Sequence, residues 1–185
     1  PFTPQPAITQ ALLTVAECPV FVGVGGGTTT GKRSVQMAAV SEMQGAAGCV
    51  VNSPATAEMV EHITNIADIP VIATVVRCDD DAHAKVRAGA KILNIAAGKN
   101  TPQVLRELRE HYPNLPLIAP GGKTPESIRE TIAAGANAII WTPPSAQQLQ
   151  TDMMQRYRKM KEDATPVISR DDVPIIDQVA AAEVS

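Results

Sequence analysis

Six short aliphatic runs recur along the chain: VFVGVG (20–25), CVVN (49–52), VIATVV (71–76), KILNIA (91–96), LIAP (117–120) and AIIW (138–141). They are continuously apolar rather than alternating, which predicts strands buried on both faces of a parallel sheet. Each run is followed by a polar cluster and then a helical pattern, and the repeat of roughly 25 residues is that of a βα unit. The stretch 102–112 places Val104, Leu105, Leu108 and Tyr112 on one helical stripe, and 55–67 does the same with Met59, Val60, Ile63 and Ile66 or Ala67. Thr101-Pro102 and Thr124-Pro125 read as a capping hydroxyl followed by proline at the first helical position. RAGAK (87–91) and AAGAN (133–137) each end a helix on glycine and lead into the next strand, and QGAAGC (44–49) is a looser copy. With a short helix at 5–16 in front, the expected fold class is α/β, a parallel (β/α) barrel-like domain with six visible βα units. A complete eight-unit barrel usually needs about 200 residues or more, so the expectation is an incomplete or modified TIM barrel, or an open sheet. The domain is placed at 1–163. The segment 164–185 is read as a C-terminal arm, because Val167, Ile168, Val173, Ile175 and Ile176 are too apolar for a solvated linker. An extended arm that covers an open strand edge of a neighbouring copy predicts a homo-oligomer.

Composition narrows the function. Of the 185 residues, 44% are hydrophobic and 19% charged, the balance of a folded globular domain. The net charge is −3 and no basic block is present, which argues against a nucleic-acid or anionic-membrane partner. No apolar run approaches the ~18–20 residues of a membrane span, and the polar start PFTPQP does not read as a signal peptide. Cys18, Cys49 and Cys78 are odd in number and widely separated, so they predict neither a disulfide frame nor a metal-binding pair, and the expected compartment is the cytoplasm. No cofactor and no metal are expected.

GGTTTGK (26–32) fits the first seven positions of a phosphate loop. The eighth position, which should offer a hydroxyl to Mg²⁺, is Arg33, with Ser34 one place late. No later strand ends in the aspartate that would complete a metal-nucleotide site. A nucleotide hydrolase is therefore the weakest of the readings, behind a flexible glycine-rich loop and a metal-free anion loop.

In parallel α/β architectures the chemistry lies just past the strand C-termini. That rule selects a cationic, amide-rich set: Arg77, Lys99, Lys123, Asn52 and Asn94. It suits a small anionic metabolite carrying phosphate or carboxylate. His62, His83 and His111 fall inside helices and read as solvated helix residues, and the aspartates 79–81 as capping groups. Cys78 is beside Arg77, but no histidine is expected nearby, so it does not read as a nucleophile. The strongest local signal is LIAPGGKTPESIRETIAAGANAIIWTPPS (117–145). Gly121 and Gly122 lack the Cβ atoms that would keep a ligand from the backbone. With Lys123 and Thr124, and with Thr142 and Ser145 on the next loop, they predict an anion site built on free N–H groups and a helix start.

This stretch, with the units before it, resembles the phosphate-binding (β/α)8 barrels, and within them the 2-keto-3-deoxy-6-phosphogluconate aldolase family. The resemblance covers about 20–145: FVGVGGGTTT is similar to that family's VGAGTV motif, CVVNSP to its fourth strand, and IPVIATVVRCDDDAHAKVRAGAKILNIAAG to its IPVIPGV…KLFPA segment. LPLIAPGGKTPESI is similar to its phosphate-binding FFPTGG strand and loop. The resemblance implies a phosphate cradle at Gly121, Gly122 and Thr142. It does not carry the aldol chemistry over. The family's Schiff-base lysine falls on Asn94, an amide that cannot form an imine. The threonine of VGAGTV falls on Gly26, and the family's catalytic glutamate and carboxylate-binding arginine lie on strands with no counterpart here. The leading expectation is an enzyme of this barrel lineage, a lyase, isomerase or hydrolase acting on a small phosphorylated or carboxylated metabolite. Arg77 and Lys123 would neutralise the anion, Asn94 orient it, and Lys99 serve as general acid/base or electrophile. The alternative is a non-catalytic binding or regulatory protein that keeps the anion pocket.

Overall fold

The computed structural model describes residues 4–122, 124–142 and 144–164, so Lys123 and the arm beyond 164 lie outside the described residues. The chain forms two compact units, a first up to Trp141 and a second from Thr142. The division thus precedes the last helix, whereas the sequence reading sets it after that helix. The first unit runs α1 (Pro6–Val15), β1 (Phe21–Gly25), α2 (Lys32–Met43), β2 (Gly48–Val51), α3 (Ala57–Thr64), β3 (Val71–Val75), α4 (Asp80–Arg87) and β4 (Ile92–Ile95). A 3-10 turn (Gly98–Asn100), α5 (Thr101–His111), β5 (Leu117–Pro120), α6 (Pro125–Ala133) and β6 (Ala138–Ile140) complete it. The second unit contains α7 (Ala146–Ala164).

All six expected strands form, and all pair in parallel in the order β1-β2-β3-β4-β5-β6. The fold is an α/β half-barrel with β1 and β6 as its edges. One face of the sheet carries Val24, Cys49, Val51, Val71, Ala73, Val75, Leu93, Ile95, Leu117 and Ala119. These residues pack on Ala38 of α2, Met59, Val60 and Ile63 of α3, Ala82 of α4, and Val104, Leu105 and Leu108 of α5. The expected helical stripes therefore point where the 3.6-residue period puts them. Of the pair Ile66 and Ala67, it is Ala67 that is buried.

The other face corrects one expectation. β3 alone is buried at every position; β1, β5 and β6 alternate or lie open. Phe21 and Ile140 at the two edges are exposed, and Val50, Ile92, Asn94 and Ile118 are half-buried. Continuous apolar runs predict burial on both faces, but an unclosed sheet has no opposite wall to bury the concave side. α5 brings a second correction. Thr101 is its first helical residue, not its cap; Asn100, at the end of the 3-10 turn, holds the cap position without a side-chain bond. The RAGAK and AAGAN endings behave as read: Gly89 (φ 105°) and Gly135 (φ 110°) take conformations that side-chain-bearing residues rarely adopt.

Lys85 of α4, to which the sequence reading gave no role, has no solvent exposure. Its Nζ donates to the Ser53 carbonyl at 2.7 Å and to Asp81 Oδ2 at 2.7 Å, tying the β2–α3 turn to α4. Replacing Lys85 with methionine keeps the volume but leaves the Ser53 carbonyl and Asp81 unpaired. Urea denaturation should show a loss of about 1.5–3 kcal/mol, the range for hydrogen bonds to charged groups. Unchanged stability would mean that the buried ammonium contributes nothing net.

Candidate functional site

Lys99, Gly121, Gly122 and Thr124 come together. They line a groove of about 360 Å³ with Gly98, Thr101, Pro102, Pro120, Ser127, Glu130 and Thr131. The 3-10 turn after β4 presents Lys99, which is exposed and has no ion pair among the described residues. On the facing side, Thr124 caps α6: its Oγ1 accepts from the Ser127 N–H at 3.2 Å, while Ser127 Oγ accepts from the Thr124 N–H at 3.2 Å. The reciprocal pair satisfies two helix-end donors. Glu130, absent from the sequence-based set, also lines the groove and lies 3.9 Å from Arg106.

The glycines of this loop play a different part from the one expected. A Cβ on Gly121 would lie 2.6 Å from Ile139 Cγ2 and 2.8 Å from Ile128 Cγ1. On Gly122 (φ 77°) it would meet Ser127 Oγ. The space left by the missing side chains is filled by the protein itself. Two of the loop amides are also engaged: Gly121 N–H donates to the Ile140 carbonyl at 3.4 Å and Thr124 N–H to Ser127 Oγ. In the second unit, Ser145 N–H donates to Gln148 Oε1 at 2.9 Å. The Gly122 N–H has no partner among the described residues. The carboxyl of Glu126 sits below the usual range because it accepts from its own backbone N–H and from Arg129, so α6 already receives negative charge from its own first turn.

Asn94 lies in β4 beside Thr74 of β3, in direct register. Its Nδ2 donates to Thr74 Oγ1 at 3.1 Å, and its buried Oδ1 has no partner among the described residues. A buried acceptor left open is costly unless something donates to it. Arg77, beyond the end of β3, is 78% exposed in its side chain, with Nε 3.5 Å from Asp79 Oδ2. Asp79 also caps α4, its Oδ1 accepting from the Ala82 N–H at 3.1 Å, as the sequence reading held. Thr142 and Ser145 belong to the second unit. There Ser145 caps α7, its Oγ accepting from the Gln148 N–H at 3.2 Å.

The glycine-rich loop 25–31 folds on itself. Gly26 N–H donates to the Thr29 carbonyl at 2.8 Å, and the buried Ser34 Oγ donates to the same carbonyl at 3.0 Å. The hydroxyl a metal-nucleotide site would need is thus turned inward.

Sequence reasoning missed one grouping. Cys78 does have a histidine beside it: His83 Nε2 stands 3.8 Å from its Sγ. Neither His83 nor His111 is simply solvated, because their rings meet edge to face with centroids 5.0 Å apart. Tyr112 Oη lies 2.8 Å from His83 Nδ1. The five-residue step from Cys78 to His83 is a weak signal, and contact with His111 is non-local, so periodicity does not show it. Cys49, by contrast, is buried in β2, and burial pushes its thiol up to about 11.

The fold thus defines a parallel α/β barrel-like protein. The chain matches no known family profile and no curated protein sequence. Solved structures do resemble it. It superimposes on 2,3-dimethylmalate lyase, a PEP mutase/isocitrate lyase superfamily member, with a TM-score of 0.62 and 14% identity over 97% of this chain and 75% of that one. For phosphonopyruvate hydrolase the TM-score is 0.63, with 15% identity over 97% and 73%. For a protein of Burkholderia cenocepacia J2315, provisionally assigned as a phosphonomutase, it is 0.61, with 17% identity over 85% and 78%. Likeness at this level of identity establishes the fold.

Proposed function

We propose that the protein is an enzyme acting on a small phosphorylated or carboxylated metabolite. The observation that carries this reading is the groove in which Lys99 faces the Gly121–Gly122 turn and the capped start of α6. The Lys99 ammonium neutralises the anion and the Gly122 N–H donates to it. Lys123 follows directly in sequence and supplies a second cation. Asn94, with its open Oδ1, orients a donor group of the substrate. The structural neighbours support the same substrate class, since they include a dimethylmalate lyase, a phosphonopyruvate hydrolase and a complex of that hydrolase with oxalate and Mg²⁺. The segment resemblance to 2-keto-3-deoxy-6-phosphogluconate aldolases belongs to this proposal without its imine step. Cytoplasmic residence and assembly through the 164–185 arm are part of it as well.

One observation favours a non-catalytic anion-binding protein as the second reading: Arg77 already faces Asp79, so the lysine works without an unpaired arginine from β3. A thermal-shift series with inorganic phosphate, oxalate, phosphosugars, 2-keto-acids and Mg-ATP tests the proposal. A ligand at about 100 Kd should stabilise the fold by about 2.7 kcal/mol. Stabilisation by the small anions that is lost in Lys99→Ala supports the groove, and turnover then separates enzyme from binder. Stabilisation by Mg-ATP alone, or anion binding unchanged in Lys99→Ala, would overturn it.

A further inference from the structure

Cys78, His83 and His111 share no residue with the groove. Cys78 lies in the turn between β3 and α4, His83 on α4, and His111 at the last position of α5. One ligand atom from each, a thiol sulfur and two ring nitrogens, lies within 4.8 Å of the others. Zinc holds sulfur at about 2.3 Å and imidazole nitrogen at about 2.0–2.1 Å, so two tetrahedral ligands of these kinds stand about 3.5 Å apart. The Cys78 Sγ to His83 Nε2 distance of 3.8 Å is already close to that value. His111 is exposed at a helix end, so a side-chain rotation can close the remaining gap. Tyr112 completes the arrangement. When His83 Nδ1–H donates to Tyr112 Oη, 2.8 Å away, the lone pair on Nε2 faces the sulfur.

The geometry favours a cation over a nucleophile. A Cys–His nucleophile needs one histidine within reach of the thiol, whereas here ligand atoms of two imidazoles lie with the sulfur inside 4.8 Å, the donor set of a mixed thiolate–imidazole metal site.

We propose that Cys78, His83 and His111 form a binding site for a zinc-type divalent cation, with one thiolate and two imidazole ligands and a fourth position left to water. On binding, the Cys78 S–H bond breaks, its proton passes to solvent, and the sulfur electron pair enters the metal–sulfur bond. Thiolate and imidazole ligands select zinc or cobalt over magnesium and calcium, which require oxygen. The ion would fasten the β3–α4 turn to the end of α5.

Titration of the full, metal-free chain with Co(II), followed by displacement with Zn(II), tests this. One equivalent of Co(II) should give a thiolate-to-cobalt charge-transfer band that Zn(II) abolishes. Cys78→Ser should remove the band, and Cys18→Ser should leave it. His83→Ala and His111→Ala should each weaken Zn(II) binding by at least tenfold, and Tyr112→Phe by about 10–100-fold, the usual cost of losing an outer partner of a ligating histidine. His111 is exposed, so that variant folds normally and remains informative if His83→Ala does not. Absence of the band, its persistence in Cys78→Ser, or unchanged Zn(II) affinity in His111→Ala would overturn the proposal.

Discussion

Lys99→Ala is expected to lower kcat/KM on a small phosphorylated or carboxylated substrate by about 10²–10⁴-fold, the contribution of a positioned acid or base. The melting temperature should stay the same, because Lys99 is exposed and forms no ion pair among the described residues. The division between constants is informative. If the ammonium only attracts the anion, KM rises and kcat stands; if it moves a proton or stabilises charge in the transition state, kcat falls. Lys99→Arg should recover the binding part but not proton transfer, since arginine does not give up its proton near neutrality. Borohydride in the presence of a 2-keto-acid should leave Lys99 unlabelled. Labelling there would make Lys99 an imine-forming residue and replace the acid/base role, and full activity of Lys99→Ala would remove the residue from the mechanism.

Gly26→Ala should be strongly destabilising, although it adds only one methyl group to the glycine-rich loop. Gly26 has φ 95°, and a Cβ there would lie 2.8 Å from Asn52 N, 2.9 Å from Asn52 O and 3.0 Å from Ala55 Cβ. The Asn52 N–H is itself bonded to the Gly25 carbonyl at 2.8 Å, so the obstructing backbone cannot retreat without breaking the β1–β2 junction. Backbone strain of about 1–2 kcal/mol and a steric cost of about 1–3 kcal/mol sum to a loss of about 2–5 kcal/mol. Gly27→Ala is the control: its nearest neighbour would be Asn52 Nδ2 at 3.6 Å, ordinary contact, and it should change stability by less than about 0.5 kcal/mol. Equal effects of the two substitutions in chemical denaturation would show that close approach at Gly26 is not what this glycine serves.

The contrast explains how far the sequence could be read. Strand positions were legible because six aliphatic runs and their helical followers repeat one local pattern, and each strand forms within a residue or two of its run. Caps at Thr124 and Asp79 were legible because their bonds reach only three residues ahead. The role of Gly121 and Gly122 was not. A glycine that admits a ligand and one that admits Ile128, Ile139 or Ser127 look alike in one dimension. The cluster of Cys78 with His83 and His111 was hidden for the same reason, because Cys78 and His111 are far apart in sequence and meet through packing. Lys85 was hidden because the acceptor that lets it be buried is a backbone carbonyl, and a carbonyl has no signature in the sequence.

The strand order has a consequence for how the sheet assembles. Every strand pairs with its immediate predecessor and successor in the chain, and β1 and β6 do not have to meet. A closed barrel joins its first and last strands, so its final contact spans the whole domain and bears the largest loop-closure entropy. Here each closure spans a single βα unit, and closure entropy grows only slowly with loop length. Predominantly neighbour-to-neighbour pairing keeps contact order low for a parallel sheet and favours rapid folding. During synthesis the β1–β2 pair can form as soon as β2 and its flanking helices emerge, and each later strand adds to a template already in place.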